Sequence, residues 1–591
     1  MTQEAFKPNE TLQQFFNFNE NIWQKIQEFY YGESPLSEAL TKINTEDLGK
    51  FYEAVAKNPA RLMEMQMKWW QGQMEIYRNV MLRASDNSVT PFIDDLPGDR
   101  RFKNELWKTQ PQFDLLRQSY LHFSTTCESM IDSVDGLSEP VRNRLHFFMR
   151  QTINALSPGN FIWTNPEILK LTVEENGENL LRGMKLFHED LMNSARYLKI
   201  RMMKDHAFEV GVDLAVTSGS VVFENEIFQL LQYDAVTPDV YKTPLLIVPP
   251  FINKYYILDL REQNSFVHWL RSQGHTVFLM SWANPDKARQ HIGFEDLAVS
   301  GICEAVRVIE DITGEKEVNA LGYCMGGTLL AATQGYYVGK RLKNRIKSAT
   351  YMTTVLDFEN PGELGVFINE PVISAIEKMD KQLGYFDGRQ LAVTFSLLRE
   401  NSLYWNYYIE NYLKGKEPAE FDILYWNSDG TNVTPKVHSF LLRDLYLNNS
   451  LAEPGKVKLG GVSINLSRVK TPNFFISTKE DHIALWEETF KGSKHLGGES
   501  TLVLGESGHV AGIVNPPAKN KYGYFTNSAA FENGKDWLAA AEHHEGSWWT
   551  HWQRWVQAYA GEKIPARSIG SENFPPLAAA PGSYVKVNLV K

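Results

Sequence analysis

A cysteine stands at the centre of Gly322-Tyr323-Cys324-Met325-Gly326, in the spacing G-x-nucleophile-x-G. The residues before it, Glu317-Val318-Asn319-Ala320-Leu321, read as a strand. Those after it, Gly327-Thr328-Leu329-Leu330-Ala331-Ala332, read as a helix of small side chains. A strand-to-helix turn this sharp holds its central side chain exposed and strained, in the manner of a nucleophile elbow. Glycines on either side remove side chains that would clash there. A thiol in place of the usual hydroxyl points away from ordinary ester hydrolysis and towards thioester chemistry.

A nucleophile of this kind needs a base, and the base needs an orienting acid. In α/β-hydrolases the three follow in the chain order nucleophile, acid, histidine. Downstream of Cys324, Ser477-Thr478-Lys479-Glu480-Asp481-His482 follows one apolar run and Gly505-Glu506-Ser507-Gly508-His509 follows another. Asp481 is preferred to Glu480 as the acid. His509 is preferred to His482 as the base, because adjacent side chains such as Asp481 and His482 rarely pair as a triad requires. The imidazole would take the thiol proton, making the sulfur more nucleophilic than its ordinary pKa of about 8.5 permits. The oxyanion donors are expected from the backbone N–H of Met325 and from the loop Val248-Pro249-Pro250-Phe251-Ile252-Asn253-Lys254. The prolines there donate nothing, leaving Phe251 or Ile252, and Ile252 is preferred. Cys127 and Cys303 lack any such context and read as structural.

The elements that must position these residues are visible as short apolar runs. Pro244–Val248, Thr276–Met280, the elbow strand, Ala349–Thr354, Asn473–Ser477 and Thr501–Leu504 look like buried parallel strands. Helical segments lie between most of them, which predicts a doubly wound α/β sheet. Asp481 and His509 then fall at strand carboxyl ends, where such sheets place their sites. Residues 358–465 interrupt the rhythm and carry many aromatic residues, including Tyr404-Trp405-Asn406-Tyr407-Tyr408, which suits a lid or cap. Residues 1–205 read as a mostly helical domain before a catalytic domain over 206–591. Its Met and Trp stripe around Leu62–Trp70 reads as helix packing, although an exposed version would suit a partner or an apolar surface. His543-His544 and the tryptophans after it read as one aromatic-rich helix packed on the core. Pro575–Pro581 reads as a loosely ordered tail.

Composition narrows the class. The chain has 591 residues, 43% hydrophobic and 22% charged, as in an ordinary globular protein. A net charge of −11 and the lack of a basic run argue against nucleic-acid binding. Three unpaired cysteines fit a reducing compartment and no structural zinc. No H-E-x-x-H or phosphate-loop pattern occurs, so neither a metal nor a cofactor is expected. The uncharged run Val318–Gly339 is long enough to span a bilayer, but its glycines and the elbow within it favour a buried strand and helix. No signal sequence or transmembrane segment is expected, and the protein is expected to be cytoplasmic.

Several stretches together resemble the polyhydroxyalkanoate synthases, from about residue 95 onward. They are the elbow with Gly326-Gly327-Thr328, Pro249 to Leu260, Asn401-Ser402-Leu403-Tyr404-Trp405-Asn406, Glu480 to Trp486, and Gly508 to Pro517. Length and a helical N-terminal region are similar to the class I enzymes, which act on short-chain substrates. The resemblance implies an α/β-hydrolase fold with a cap and polymerisation of (R)-3-hydroxyacyl-CoA into polyester with release of CoA. It implies Cys324 as the thioester carrier, His509 as general base and Asp481 assisting. It also implies a homodimer at the surface of cytoplasmic polyester granules. Phe251 stands where several members have cysteine, so no catalytic role is attached to it. A cysteine-dependent acyl-CoA thioesterase or polyester depolymerase would share the triad. A silent granule-coat protein would have no need of it.

Overall fold

The computed structural model describes residues 35–589, save 87, 97, 195–197, 199 and 205–206. The helical expectation for residues 1–34 lies outside the described residues. Two compact units emerge. One takes in the described part of Met1–Asp205 together with Val393–Glu420, and the other is His206–Ala392 with Phe421–Lys591.

The first unit is helical. Its main helices are α1 (Pro35–Lys57), α2 (Pro59–Ser85), α3 (Pro111–Asp132), α4 (Glu139–Ala155), α5 (Pro166–Glu174) and α6 (Glu178–Asn193). Proline opens several of them at a position where its missing N–H costs nothing. α2 buries Gly72, Ile76 and Val80 while Met63, Met67 and Trp70 stand exposed. The Met and Trp stripe is therefore only in part the internal packing expected of it.

The placement of Val393–Glu420 differs from the expectation that 358–465 belongs whole to the catalytic domain. Its polar side chains find buried partners in the first unit. Tyr412 donates to Asp190 at 2.6 Å and Asn154 donates to Glu400 at 2.6 Å. Both partners lie more than 200 residues away in sequence, so no local pattern could reveal them.

The second unit is built on an eleven-stranded mixed sheet. Its strands are β1 (Gly219–Glu224), β2 (Phe228–Tyr233), β3 (Leu245–Val248), β4 (Val277–Trp282), β5 (Val318–Tyr323), β6 (Ile346–Met352), β7 (Asn473–Thr478), β8 (Ser500–Gly505), β9 (Tyr524–Thr526), β10 (Glu542–His544) and β11 (Ala578–Ala579). Their order is β10-β9-β8-β7-β6-β5-β3-β4-β2-β1-β11. The central strands from β4 to β8 pair in parallel, and the flanking strands pair antiparallel. β5 lies near the middle and runs straight into α7 (Met325–Gly339). This pair is the uncharged run, and nearly every residue in it is buried. No helix among the described residues is long and apolar enough to cross a membrane.

Two readings from the sequence need correction. His543 and His544 belong to β10, paired with β9, and the aromatic helix α8 begins only at Trp548 (Trp548–Ala560). The C-terminal stretch is not loose. β11 pairs with β1, and the Gln229 side-chain carbonyl accepts the N–H groups of Ser583 and Tyr584. β2 does not read as a strand because the buried side chains of Gln229 and Gln232 interrupt what would otherwise be a continuous apolar run. The Asn225 side chain accepts the N–H groups of Ile227 and Phe228, a turn signal that was present in the sequence.

Candidate active site

Cys324 links β5 to α7 with φ 52° and ψ −123°. That region is costly for a side-chain-bearing residue, of order 1–3 kcal/mol, and it persists only where the surroundings enforce it. They do so here through backbone bonds. The Cys324 N–H donates to the Met352 carbonyl at 2.8 Å, and its own carbonyl accepts from Gly327 at 2.9 Å. A Cβ on Gly326 would collide with the carbonyls of Val248 and Pro249, and one on Gly322 with the backbone of Gly327. The glycines are needed for close approach, and the thiol is left partly exposed at the carboxyl end of the sheet.

The loops after β7 and β8 bring Asp481 and His509 to this point. Asp481 Oδ1 accepts the N–H groups of Ile483 and Ala484, both at 2.9 Å, which fixes the carboxylate plane. Its Oδ2 lies 2.7 Å from His509 Nδ1. That contact commits Nδ1 to the carboxylate and leaves Nε2 as the nitrogen able to serve the Cys324 thiol. Burial works against a charged imidazole. The Asp481 carboxylate and the Cys324 sulfur beside it outweigh burial and hold the His509 pKa well above its ordinary value. Glu480, the competing acid, is exposed. Burial pushes the thiols of Cys127 and Cys303 up, the opposite of activation. The three residues singled out from spacing thus meet in one place, 185 residues apart along the chain at the extremes.

The loop after β3 packs against the elbow. Among the described residues, neither the Ile252 nor the Met325 N–H has a recorded acceptor. The loop is braced from the cap side by a buried ion pair, Lys254 Nζ to Asp429 Oδ1 at 2.6 Å. Tyr256 donates to the other Asp429 oxygen at 2.8 Å, and Trp426 Nε1 donates to the Lys254 carbonyl at 2.7 Å. Sequence spacing gives no hint of this brace, because Asp429 lies in the irregular insertion.

Two aromatic residues were also missed. The Tyr323 ring stacks on His509 at 5.7 Å and 24°. Tyr446, from the helical segment Leu441–Leu447, faces the same charges. Burial, with Cys324 and Asp481 near it, holds its phenol protonated far above the ordinary range. The elbow neighbour Tyr323 could have been suspected from its position; nothing marked Tyr446. At the insertion's root, Asn449 accepts the Phe358 N–H at 2.7 Å and donates to Asp357 at 2.8 Å, pinning its exit to its return.

A thiol, imidazole and carboxylate in this order can attack a carbonyl, shuttle the proton and hold an acyl group as a thioester. Comparison with known proteins agrees with that architecture. Residues 244–516 match the family described as alpha/beta hydrolase fold, and residues 98–270 match "Poly-beta-hydroxybutyrate polymerase (PhaC) N-terminus". The chain is 44% identical over 544 residues to a poly(3-hydroxyalkanoate) polymerase of Methylorubrum extorquens, covering 92% of this chain and 90% of that one. It is 42% identical to the polymerase subunit PhaC of Rhizobium etli, covering 91% and 85%. Against the subunit PhaC of Cupriavidus necator it is 38% identical, covering 89% of each. The chain belongs to the poly(3-hydroxyalkanoate) polymerase family, acyltransferase-type enzymes with an α/β-hydrolase domain.

Proposed function

We propose that the protein polymerises short-chain (R)-3-hydroxyacyl-CoA, such as (R)-3-hydroxybutyryl-CoA, into polyester with release of CoA. The observation that carries this reading is the strained Cys324 elbow joined to the His509–Asp481 pair. His509 takes the thiol proton as the sulfur attacks the thioester carbonyl. The backbone N–H groups of Ile252 and Met325 receive the oxyanion, the C–S bond to CoA breaks, and the imidazolium returns the proton to the leaving thiolate. Exchange of one thioester for another leaves the acyl group reactive towards a hydroxyl. The 3-hydroxyl of a second acyl unit then gives its proton to His509 and forms the ester bond, freeing a thiol. Asp481 orients His509 and stabilises its charge. No metal or redox cofactor enters these steps, since the CoA thioester supplies the activation.

Chain growth requires that a hydroxyl outcompete water. The aromatic cap, with Tyr446 near the sulfur, supports a dry site of that kind. The family membership supports a homodimer at the surface of cytoplasmic polyester granules. Incubation with (R)-3-hydroxybutyryl-CoA, following free thiol and analysing the product, tests the reading. CoA release with polymer is expected. CoA release with only monomeric hydroxy acid would replace it with a thioesterase, and no release at all would point to a silent coat protein.

A further inference from the structure

The turn that carries His509 belongs to no helix or strand, yet it must hold an imidazole against a thiol. Its backbone closes on itself only in part. The Gly512 N–H donates to the Gly508 carbonyl at 2.9 Å, and the Val514 N–H to the Val510 carbonyl at 2.8 Å. Among the described residues, the carbonyls of His509 and Gly512 accept no backbone N–H. Side chains supply what the backbone does not. The Tyr323 hydroxyl donates to the His509 carbonyl at 3.3 Å. Trp548 Nε1 donates to the Gly512 carbonyl at 3.1 Å and reaches the Ile513 carbonyl at 3.2 Å. Trp549 Nε1 donates to the Ile513 carbonyl at 2.9 Å. All three donor residues are 1% exposed, so solvent does not compete for these bonds.

We propose that Tyr323, Trp548 and Trp549 are positioning residues for the general base, aiming His509 Nε2 at the Cys324 sulfur. This rests on the reading of His509 as the base and adds the device that holds it in place. Tyr323 directly precedes Cys324, so one side chain ties the end of β5 to the turn of the base. The spacing between nucleophile and base is then set across a single residue. Its ring also lies along the imidazole, which limits tilting of the base. The tryptophans approach from the start of α8, where the Ser547 hydroxyl oxygen accepts the Trp549 N–H at 3.1 Å and fixes the first turn. Against the sheet the turn has no slack. A Cβ on Gly512 would fall 2.5 Å from Thr478 Cγ2 and 2.5 Å from the Glu506 carbonyl oxygen. Thr478 ends β7, the strand that leads to Asp481.

A buried indole needs an acceptor wherever it lies. Trp552 of the same helix finds one in Thr350 of β6. Trp548 and Trp549 converge instead on adjacent carbonyls of one short turn, and that turn bears the base. Reacting groups must be held to within about 0.5 Å by the shell of hydrogen bonds around them. A misplacement of about 1 Å can cost on the order of a hundredfold in rate. The three donors are the side-chain part of that shell for His509, and they explain why an aromatic helix so far along the chain packs where it does.

Steady-state CoA release from (R)-3-hydroxybutyryl-CoA by the full-length chain, corrected for the folded fraction by chemical denaturation, tests this. Tyr323→Phe keeps the stacked ring and loses only the hydroxyl; kcat is expected to fall about tenfold with KM within about twofold. Trp548→Phe is expected to do the same. Replacement of Trp548 by β-(3-benzothienyl)alanine, which keeps the shape and has sulfur in place of the indole N–H, should reproduce the loss with the fold intact. Trp552→Phe, which gives up a buried indole without touching the turn, should lower stability and leave kcat of the folded fraction within about twofold. Wild-type kcat in Tyr323→Phe and in the benzothienyl variant would overturn the positioning role. So would a rise in KM alone, or a loss in Trp552→Phe equal to that in Trp548→Phe, which would mark a packing effect common to the helix. His509→Gln separates the two readings. It should abolish release, and wild-type release there would overturn the base assignment and the positioning role together.

Discussion

The two units treat apolar surface in opposite ways. In the catalytic unit the sheet and its helices close over one large core in which Trp548, Trp549 and Trp552 are almost wholly buried, with Trp552 Nε1 bonded to Thr350 at 2.9 Å. The helical unit is shorter, yet it carries most of the exposed large apolar side chains, among them Trp70 at 62% and Trp163 at 81%. Its buried residues form small clusters, such as Phe51, Ile131, Val134, Val141 and Leu145. A sheet buried on both faces leaves few choices for an apolar side chain. A helix layer one element deep has a second face, and that face is open to outside contacts. The candidate site sits in the first kind of structure, and exposed apolar surface accumulates on the second.

Breaking the catalytic unit at its reactive point gives the largest expected effect. Cys324→Ala should lower CoA release from (R)-3-hydroxybutyryl-CoA by more than about a thousand-fold, since the acyl acceptor itself is lost. Cys127→Ala and Cys303→Ala should stay within about twofold. Equal losses from all three would mean that the thiol contribution is structural. The same contrast can be drawn with tryptophans. Trp552→Ala should cost about 3–5 kcal/mol of stability, the range for emptying a large buried site. Trp163→Ala should stay within about 0.5 kcal/mol, the range for surface positions. Chemical denaturation measures both, and a comparable loss from Trp163→Ala would remove the distinction between the units.

The cap-side brace comes next. Asp429→Asn leaves Lys254 buried without its counter-charge, which should destabilise the catalytic unit by about 3 kcal/mol. In the fraction that remains folded, kcat should fall more than KM rises, because Lys254 lies two residues from the oxyanion candidate Ile252. A pure KM effect would dissociate the brace from the chemistry.

A smaller effect is written into pH. Burial lowers the pKa of His275 to about 4, against the Gln553 bond that raises it, so the ring is neutral in the fold. A depressed folded value means stability that is fully present above the unfolded pKa of about 6.5 and is lost as pH falls towards 4. The loss over that window should reach about 3 kcal/mol, at 1.36 kcal/mol per unit. His275→Phe, in a site already lined by Tyr241 and Trp552, should flatten that limb. An unchanged limb would place the proton uptake elsewhere.

What the sequence made legible follows the same division. Cys324, Asp481 and His509 could be read because each sits at the end of a short apolar strand in a fixed chain order. The central strands could be read because residues buried on both faces form continuous runs. Tyr446 and the Lys254–Asp429 brace could not, because they depend on how an irregular insertion folds back over residues well over a hundred positions earlier. β1, β2 and β11 were lost for a related reason: their pairing partners are set by the sheet edge, not by local alternation. In the helical unit the period of α2 was plain, but which of its two apolar faces would be covered was not. That depends on α3, and periodicity alone does not say where a neighbour lies.

The central claim is that Cys324 carries the acyl group. Rapid acid quench of the protein with (R)-3-hydroxybutyryl-CoA, followed by peptide mass spectrometry, reads this directly. The predicted result is a hydroxylamine-labile hydroxybutyryl adduct on the peptide containing Cys324, absent in Cys324→Ala. An adduct on another residue, or polymer formation by Cys324→Ala at the wild-type rate, would contradict it.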